Sequence, residues 1–91
     1  MDITFDPAKS ARNLVVRGFT FDLVREFDWS EALIVEDTRM DYGERRLQAL
    51  GFIESRLFVL VFTPRGSKVH VISLRKANPR EVKHYASQTK S

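Results

Sequence analysis

The chain has 91 residues, enough for one domain (1–91), and its 43% hydrophobic and 11% aromatic residues can form one core. It has no cysteine, which excludes disulfides and thiolate metal sites. It has no apolar run of about 18 residues and no basic-then-apolar N-terminus, so we expect a cytoplasmic protein without a membrane span or secretory signal. Residues 1–64 contain eight Lys and Arg against eleven Asp and Glu, whereas residues 65–91 contain seven against one. This asymmetry favours a polyanion or an acidic protein as partner, and a solvated basic face without a specific role is an equal alternative.

Two helices are predicted at the N-terminus. Asp6 suits an N-cap and Pro7 suits the first helical position, because proline has no N–H to leave unpaired. Gly18 can end this helix in a left-handed conformation. Thr20 can cap a second helix, whose apolar face falls within residues 21–27.

The hydrophobic period changes to two from Ala32 onward, which predicts β-strands. We expect four strands, at residues 32–39, 44–53, 57–62 and 68–74. Short connections between them imply an antiparallel meander.

A last helix is predicted after the fourth strand. Asn78 can be its N-cap, Pro79 its first residue and Glu81 the acid of a capping box. We expect the tail, residues 87–91, to be frayed. The fold class is then α+β, with two N-terminal helices, a four-stranded antiparallel sheet and a C-terminal helix, in two layers with the helices on one face.

The junction between the fourth strand and this helix is a candidate anion site. Arg75 and Lys76 place two positive charges where the strand ends, and the helix N-terminus at Asn78 offers free N–H groups to a phosphate. A weaker alternative is that Asn78 and Glu81 already pair these groups.

A series of short motifs covers most of the chain, from Phe5 to Tyr85. They are Phe5-Asp6-Pro7-Ala8-Lys9 with Asn13, Gly18-Phe19-Thr20-Phe21, Tyr42-Gly43-Glu44-Arg45-Arg46, Gly51, Thr63-Pro64-Arg65-Gly66, Ile72-Ser73-Leu74-Arg75-Lys76-Ala77, and Glu81 with Tyr85. In their order and spacing they resemble the BrnT-type ribonuclease toxins of bacterial type II toxin–antitoxin pairs, which have a RelE-like fold. The family usually has Lys-His-Gly after the first helix, where this chain has Val16-Arg17-Gly18. Arg17 can replace the charge of that histidine but not its proton transfer.

The resemblance implies a metal-independent endoribonuclease that needs no cofactor and inhibits translation. It also implies a cognate antitoxin, a BrnA-like ribbon-helix-helix protein whose C-terminal segment wraps the basic face. DNA would be contacted only through that antitoxin. The alternative is a non-catalytic module that binds nucleic acid or the antitoxin, and a homodimer is a weaker possibility.

In the implied reaction the ribose 2′-OH attacks the adjacent phosphate, which requires cations, a base and an acid. No cluster of His, Cys or Asp has the spacing of metal ligands, so arginines would supply the charge. Arg46 and Arg75 are the first candidates for a phosphate clamp and Arg65 is the third, because guanidinium is a planar fork of donors. The alternative for each is a surface charge or a salt bridge, and for Arg65 alone that alternative is favoured.

Three further residues are candidates for proton transfer. Glu44 could act as a base if its pKa rose, but arginines beside it should lower its pKa, and it could equally orient Arg46. His70 should lie on the sheet face free of helices, with Arg46, and could be acid or base. The alternative of a lone surface histidine is slightly favoured, because the family commonly has arginine at this position. Tyr85 is expected under the sheet edge with its hydroxyl near the site.

The remaining basic residues are candidates for RNA contact. They would bind flanking phosphates without reading sequence. They are Arg17, Arg45, Lys68, Lys76, Arg80 and Lys83.

Overall fold

The computed structural model describes residues 2–89 of the chain. The elements in chain order are β1 (Ile3–Thr4), α1 (Pro7–Arg17), a first 3₁₀ helix (Phe21–Glu26), a second 3₁₀ helix (Trp29–Glu31), β2 (Leu33–Glu36), β3 (Leu47–Ile53), β4 (Arg56–Arg65), β5 (Lys68–Lys76) and α2 (Pro79–Thr89). The α+β class is confirmed. Residues 87–89 belong to α2, so the predicted fraying is wrong for them, and residues 90–91 lie outside the described part.

The sheet has five strands in the order β1-β5-β4-β3-β2. Strands β2 to β5 form the predicted antiparallel meander. The prediction of four strands is wrong, because β1 adds a fifth, parallel to β5, with Ile3 opposite Val69 and Thr4 opposite His70. The sheet is therefore mixed rather than purely antiparallel.

The first helix has the predicted ends. The Asp6 carboxylate accepts from the N–H of Ala8 at 2.9 Å, and Gly18 ends α1 at φ 93° with its N–H donating to the Leu14 carbonyl. The prediction of a second N-terminal α-helix is wrong, because residues 21–31 contain two short 3₁₀ helices instead. They are interrupted because Phe27 makes a β-bridge with Ile53, which draws the backbone out of the helix.

Two strand boundaries differ from the predicted ones because side chains pair with nearby backbone. The carboxylate of Asp37 accepts from the N–H of Arg39 at 3.2 Å, so β2 stops at Glu36. The carboxylate of Asp41 likewise accepts a hydrogen bond from the N–H of Gly43 at 3.0 Å. Residues 37–46 are therefore a loop and β3 begins at Leu47, so the predicted strands at 32–39 and 44–53 are too long.

The helices cover both faces of the sheet, so the predicted two-layer arrangement is wrong. Along β4, Phe58 and Leu60 pack in the larger core cluster, with residues of the 3₁₀ segments. Leu57 and Val59 point the other way and pack in a second cluster with Tyr85 of α2. Helix α2 packs on only one end of this face. The other end, which no helix within residues 2–89 covers, is called the open face.

Candidate functional site

A row of polar side chains crosses the open face. Thr63 of β4 lies opposite His70 of β5, and His70 lies opposite Thr4 of β1. Leu47 lies opposite Phe62, so Arg46, one residue earlier, comes next to Thr63 on the β3 side. The register thus places Arg46 and His70 on either side of Thr63, and the predicted common face of Arg46 and His70 follows from it.

The loop at 37–46 holds Arg46 by stacking. The Arg46 guanidinium lies 3.7 Å from the centre of the Tyr42 ring, a cation–π contact. The Tyr42 hydroxyl donates to Asp37 at 3.3 Å, and Arg39 donates to both Asp37 oxygens at 2.9 and 2.8 Å. These bonds from Arg39 lower the pKa of Asp37 from 3.8 to about 2, so the carboxylate that anchors the loop is charged at neutral pH.

Glu44 pairs with Arg65 rather than orienting Arg46. Arg65 donates to the Glu44 carboxylate through Nη2 at 2.9 Å and through Nε at 3.4 Å. This pairing, assisted by the charge of Arg46, lowers the pKa of Glu44, as expected beside arginines. Both side chains are nearly half exposed, so the pair contributes little to stability and can open.

His70 is half-buried at the β1 side of the row. Its Nδ1 lies 2.8 Å from the Thr4 Oγ1, which fixes the ring and leaves Nε2 for another partner. Burial lowers the pKa of His70 below 6.5, and the positive charge of Arg65 lowers it further. The ring is therefore a neutral imidazole at neutral pH, the form that can accept a proton. Glu44, Arg46, Arg65 and His70 are called the open-face cluster below.

Arg75 lies apart from this cluster. It is opposite Val59, four residues along β4 from Thr63, which corresponds to roughly 13 Å. Its two terminal nitrogens donate to the two oxygens of Glu81 at 2.8 Å each. Arg75 and Arg46 therefore do not hold the same phosphate in this arrangement.

The N-terminus of α2 is already paired, as the weaker alternative expected. The Asn78 Oδ1 accepts from the Glu81 N–H at 2.8 Å, and the Glu81 carboxylate accepts from the Asn78 N–H at 2.9 Å. This is the predicted capping box. A carboxylate at this position also repels anions, and these two N–H groups are not free for the phosphate expected at Asn78.

Tyr85 is a packing residue in this structure. It is buried against Phe52, with ring centres 5.4 Å apart, and its hydroxyl donates to the Glu31 carbonyl at 2.6 Å. Burial raises its pKa. Its hydroxyl is therefore bound to backbone and does not reach the open-face cluster.

The six predicted RNA-binding residues are all exposed and do not form one patch. Arg45 pairs with Glu36 at 3.3 Å. Arg17 lines a groove of about 380 Å³ between α1 and β5, which also contains Lys9 and Arg12. The others lie at the two ends of β5 and along α2: Lys68, Lys76, Arg80 and Lys83.

Sequence reasoning missed three residues of the open face, Thr4, Tyr42 and Thr63. Thr4 acts through β1, which is too short to produce a periodic signal. Tyr42 precedes Arg46 by four residues, but that spacing brings side chains together in a helix, whereas this segment is a loop. Thr63 lies just beyond the predicted strand at residues 57–62, whereas β4 continues to Arg65.

Among residues 2–89, no helix has the length and apolar character needed to cross a membrane.

Comparison with known proteins identifies the chain's family. No match to the chain is found among curated proteins. A family model described as the ribonuclease toxin, BrnT, of type II toxin–antitoxin systems matches residues 5–81. The chain therefore belongs to the BrnT family of ribonuclease toxins.

Proposed function

We propose that this toxin cleaves RNA at the open-face cluster, by attack of a ribose 2′-OH on the adjacent phosphate. The new bond joins the 2′ oxygen to phosphorus and the bond from phosphorus to the 5′ oxygen breaks. The products are a 2′,3′-cyclic phosphate and a free 5′-OH, and no water is consumed. The observation that carries this proposal is the imidazole of His70, which Thr4 holds on the same open face as Arg46 and Arg65.

In this proposal His70 is the base. It accepts the 2′-OH proton and later releases it to solvent, and the departing 5′ oxygen takes a proton from water. Arg46 and Arg65 stabilise the additional negative charge of the pentacoordinate phosphorane, the role in which preorganised donors are most effective. Glu44 is a poor base because its pKa is lowered, so its role is to orient Arg65 until RNA arrives.

Arginines supply the positive charge, so we propose a reaction that needs no metal ion. Among residues 2–89, no group of three or more His, Asp or Glu side chains is arranged to hold one. Arg75, Tyr85 and the exposed basic residues would then act outside the reacting centre. Arg17 and Lys68 are proposed to contact flanking phosphates.

A non-catalytic binding module is the second candidate. The observation that favours it is the pairing of two predicted clamp residues with carboxylates, Arg65 with Glu44 and Arg75 with Glu81. In the free chain these two arginines are neutralised. If RNA did not displace the carboxylates, the basic surface would serve only for attachment.

A type II toxin has a cognate antitoxin. We propose a BrnA-like ribbon-helix-helix protein whose C-terminal segment covers the basic face, with DNA contacted only through it. The pair would act in the cytoplasm, where the RNA substrate is. Homodimerisation of the toxin is a further possibility that size-exclusion chromatography with light scattering would test.

The decisive experiment compares two histidines. Purified His70→Ala should cleave a fluorogenic RNA about 10²- to 10⁴-fold more slowly than the wild type, the usual loss when a general base is removed. His84→Ala is the matched control, because His84 is exposed on α2, and it should cleave at the wild-type rate. All reactions contain EDTA.

Three results would contradict the proposal in different ways. Equal rates for wild type and His70→Ala would remove His70 from the mechanism. A strict need for Mg²⁺ would remove the metal-free reaction. Salt-dependent RNA binding without cleavage by the wild type, together with harmless expression in bacteria, would favour the binding module.

A further inference from the structure

Two buried polar atoms of the described residues have no hydrogen-bond partner: the Nε of Arg46 and the Oγ1 of Thr63. Folded proteins pair nearly all buried polar groups, and an unpaired one reduces stability. Arg46 and Thr63 are neighbours in the same row of the open face, as the pairing of Leu47 with Phe62 requires. Two orphaned atoms on neighbouring residues of one row indicate a place where the fold lacks a partner for both.

Stability alone does not account for a hydroxyl at this position. Thr63 is 1% exposed, and valine has nearly the same shape without the polar atom. A valine there would remove an unpaired hydroxyl without leaving a cavity. The retained hydroxyl is therefore better explained by a partner that arrives from outside the chain.

We propose that the Thr63 hydroxyl and the Arg46 Nε–H together bind one non-bridging oxygen of the scissile phosphodiester. This assignment rests on the proposed function and adds Thr63 as a substrate-contacting residue. A phosphate oxygen accepts two hydrogen bonds, and both groups can donate one. A phosphate over Thr63 lies between Arg46 and His70, which brings the neighbouring 2′-OH toward the imidazole.

Access to these atoms requires a side chain to move, because both are shielded from solvent. The contact best suited to open is the exposed pair of Glu44 with Arg65, two residues from Thr63 on the same strand. A phosphodiester has anionic oxygens like those of Glu44 and can replace it on Arg65. Binding would then exchange a weak surface pair for contacts to the phosphate and would satisfy both orphaned donors.

The test is Thr63→Val with Thr63→Ser as its matched control. Thr63→Val should unfold at the wild-type temperature or higher, yet its kcat should fall about 10²-fold, since one donor to the transition-state charge is lost. Thr63→Ser keeps the hydroxyl and should retain most of the activity. A Thr63→Val protein with wild-type kcat overturns the proposal, and so does a loss of activity that merely follows a lower Tm, as a structural role would give.

A second measurement uses the wild type and does not depend on cleavage. Titration with a single-stranded RNA bearing 2′-O-methyl groups, which cannot be cut, should shift the Arg46 Nε–H resonance in a ¹H–¹⁵N spectrum, assigned with Arg46→Lys. An unmoved resonance at saturating RNA overturns the proposal. A shifted resonance in a protein that never cleaves RNA would support the phosphate site and reject the catalytic function. If the wild type cleaves RNA, but the resonance does not shift and Thr63→Val has no effect, the catalytic function is supported and the phosphate site is rejected.

Discussion

Removing Arg75 should reduce stability, because Arg75 ties the end of β5 to the last helix. It makes two charge-assisted bonds of 2.8 Å to Glu81, and the two side chains are only 31% and 21% exposed. Glu81 also closes the capping box with Asn78. The Arg75→Ala change would leave Glu81 partly buried without its main partner.

The magnitude follows from this geometry. Hydrogen bonds to charged groups contribute roughly 1.5–3 kcal/mol, and partial exposure reduces that, so we expect a coupling energy of about 1–2 kcal/mol. The Arg75→Ala variant should lose about 2 kcal/mol of unfolding free energy. In a domain of this size such a loss lowers the Tm by about 8–16 °C.

Urea unfolding at pH 7 of wild type, Arg75→Ala, Glu81→Ala and the double variant measures the coupling. Lys76→Ala is the control, because it removes the same charge from an exposed neighbour and should change stability by less than about 0.5 kcal/mol. A coupling energy below about 0.3 kcal/mol would refute the reasoning.

The same variants separate two roles for Arg75. If Arg75 acts only by holding the helix, Arg75→Ala and Glu81→Ala should reduce RNA cleavage alike at a temperature where both are folded. If Arg75→Ala alone abolishes cleavage, Arg75 contacts RNA as the sequence suggested.

The stabilisation by the Arg75–Glu81 pair should depend on pH. Arg75 lowers the pKa of Glu81 from 4.5, so the pair stabilises the fold above the pKa that Glu81 has in the unfolded chain. This stabilisation is lost as the pH falls through the lower pKa of Glu81 in the folded protein.

Three further predictions concern the core and the open face. Gly51→Ala should destabilise by about 1–3 kcal/mol in urea, because its Cβ would lie 2.5 Å from the Phe27 ring, and unchanged stability would contradict that contact. Tyr42→Leu should slow RNA cleavage about three- to tenfold by removing the surface on which Arg46 stacks, whereas Tyr42→Phe should be milder; equal effects would exclude stacking as the cause. Because burial lowers the pKa of His70, kcat/KM should fall at acid pH with a midpoint below 6.5, and a midpoint above 7 would exclude His70 as the base.

The parts of the fold that local chemistry determines could be predicted from sequence. Asp6, Gly18 and Asn78 act within a few residues of themselves, so the ends of α1 and the start of α2 are where the pattern places them. The predicted period of two is also seen in β3, where Leu47 and Ala49 both point toward the larger core.

The parts that depend on distant contacts could not be predicted. β1 has two residues and exists only because β5 offers an edge. Pro64 lies outside the predicted strands, yet it belongs to β4 and lies opposite Val69. It is tolerated because β3 begins opposite Phe62, so β4 has no partner on that side at Pro64 and needs no N–H there.

The candidate site also combines features that a local pattern predicts with features that depend on distant contacts. A common face for Arg46 and His70 followed from alternation, but alternation does not give the distance along a strand. Arg75 is on the same face, but it lies opposite Val59, four positions along β4 from Thr63, and there it pairs with Glu81. The side of the sheet that α2 covers depends on Tyr85 and its packing partners, which no local pattern specifies.

A β-bulge lets one strand serve both ends of this face. Val61 lies opposite Ser73 and Phe62 opposite Val71, so Ile72 is an extra residue in β5. With strict alternation, His70 and Arg75 would point to opposite faces. The extra residue shifts the phase, so that Val71 and Leu74 both reach the larger core while His70 and Arg75 face the other way. The bulge is thus the feature that allows β5 to contribute His70 to the open-face cluster and still anchor α2 through Arg75.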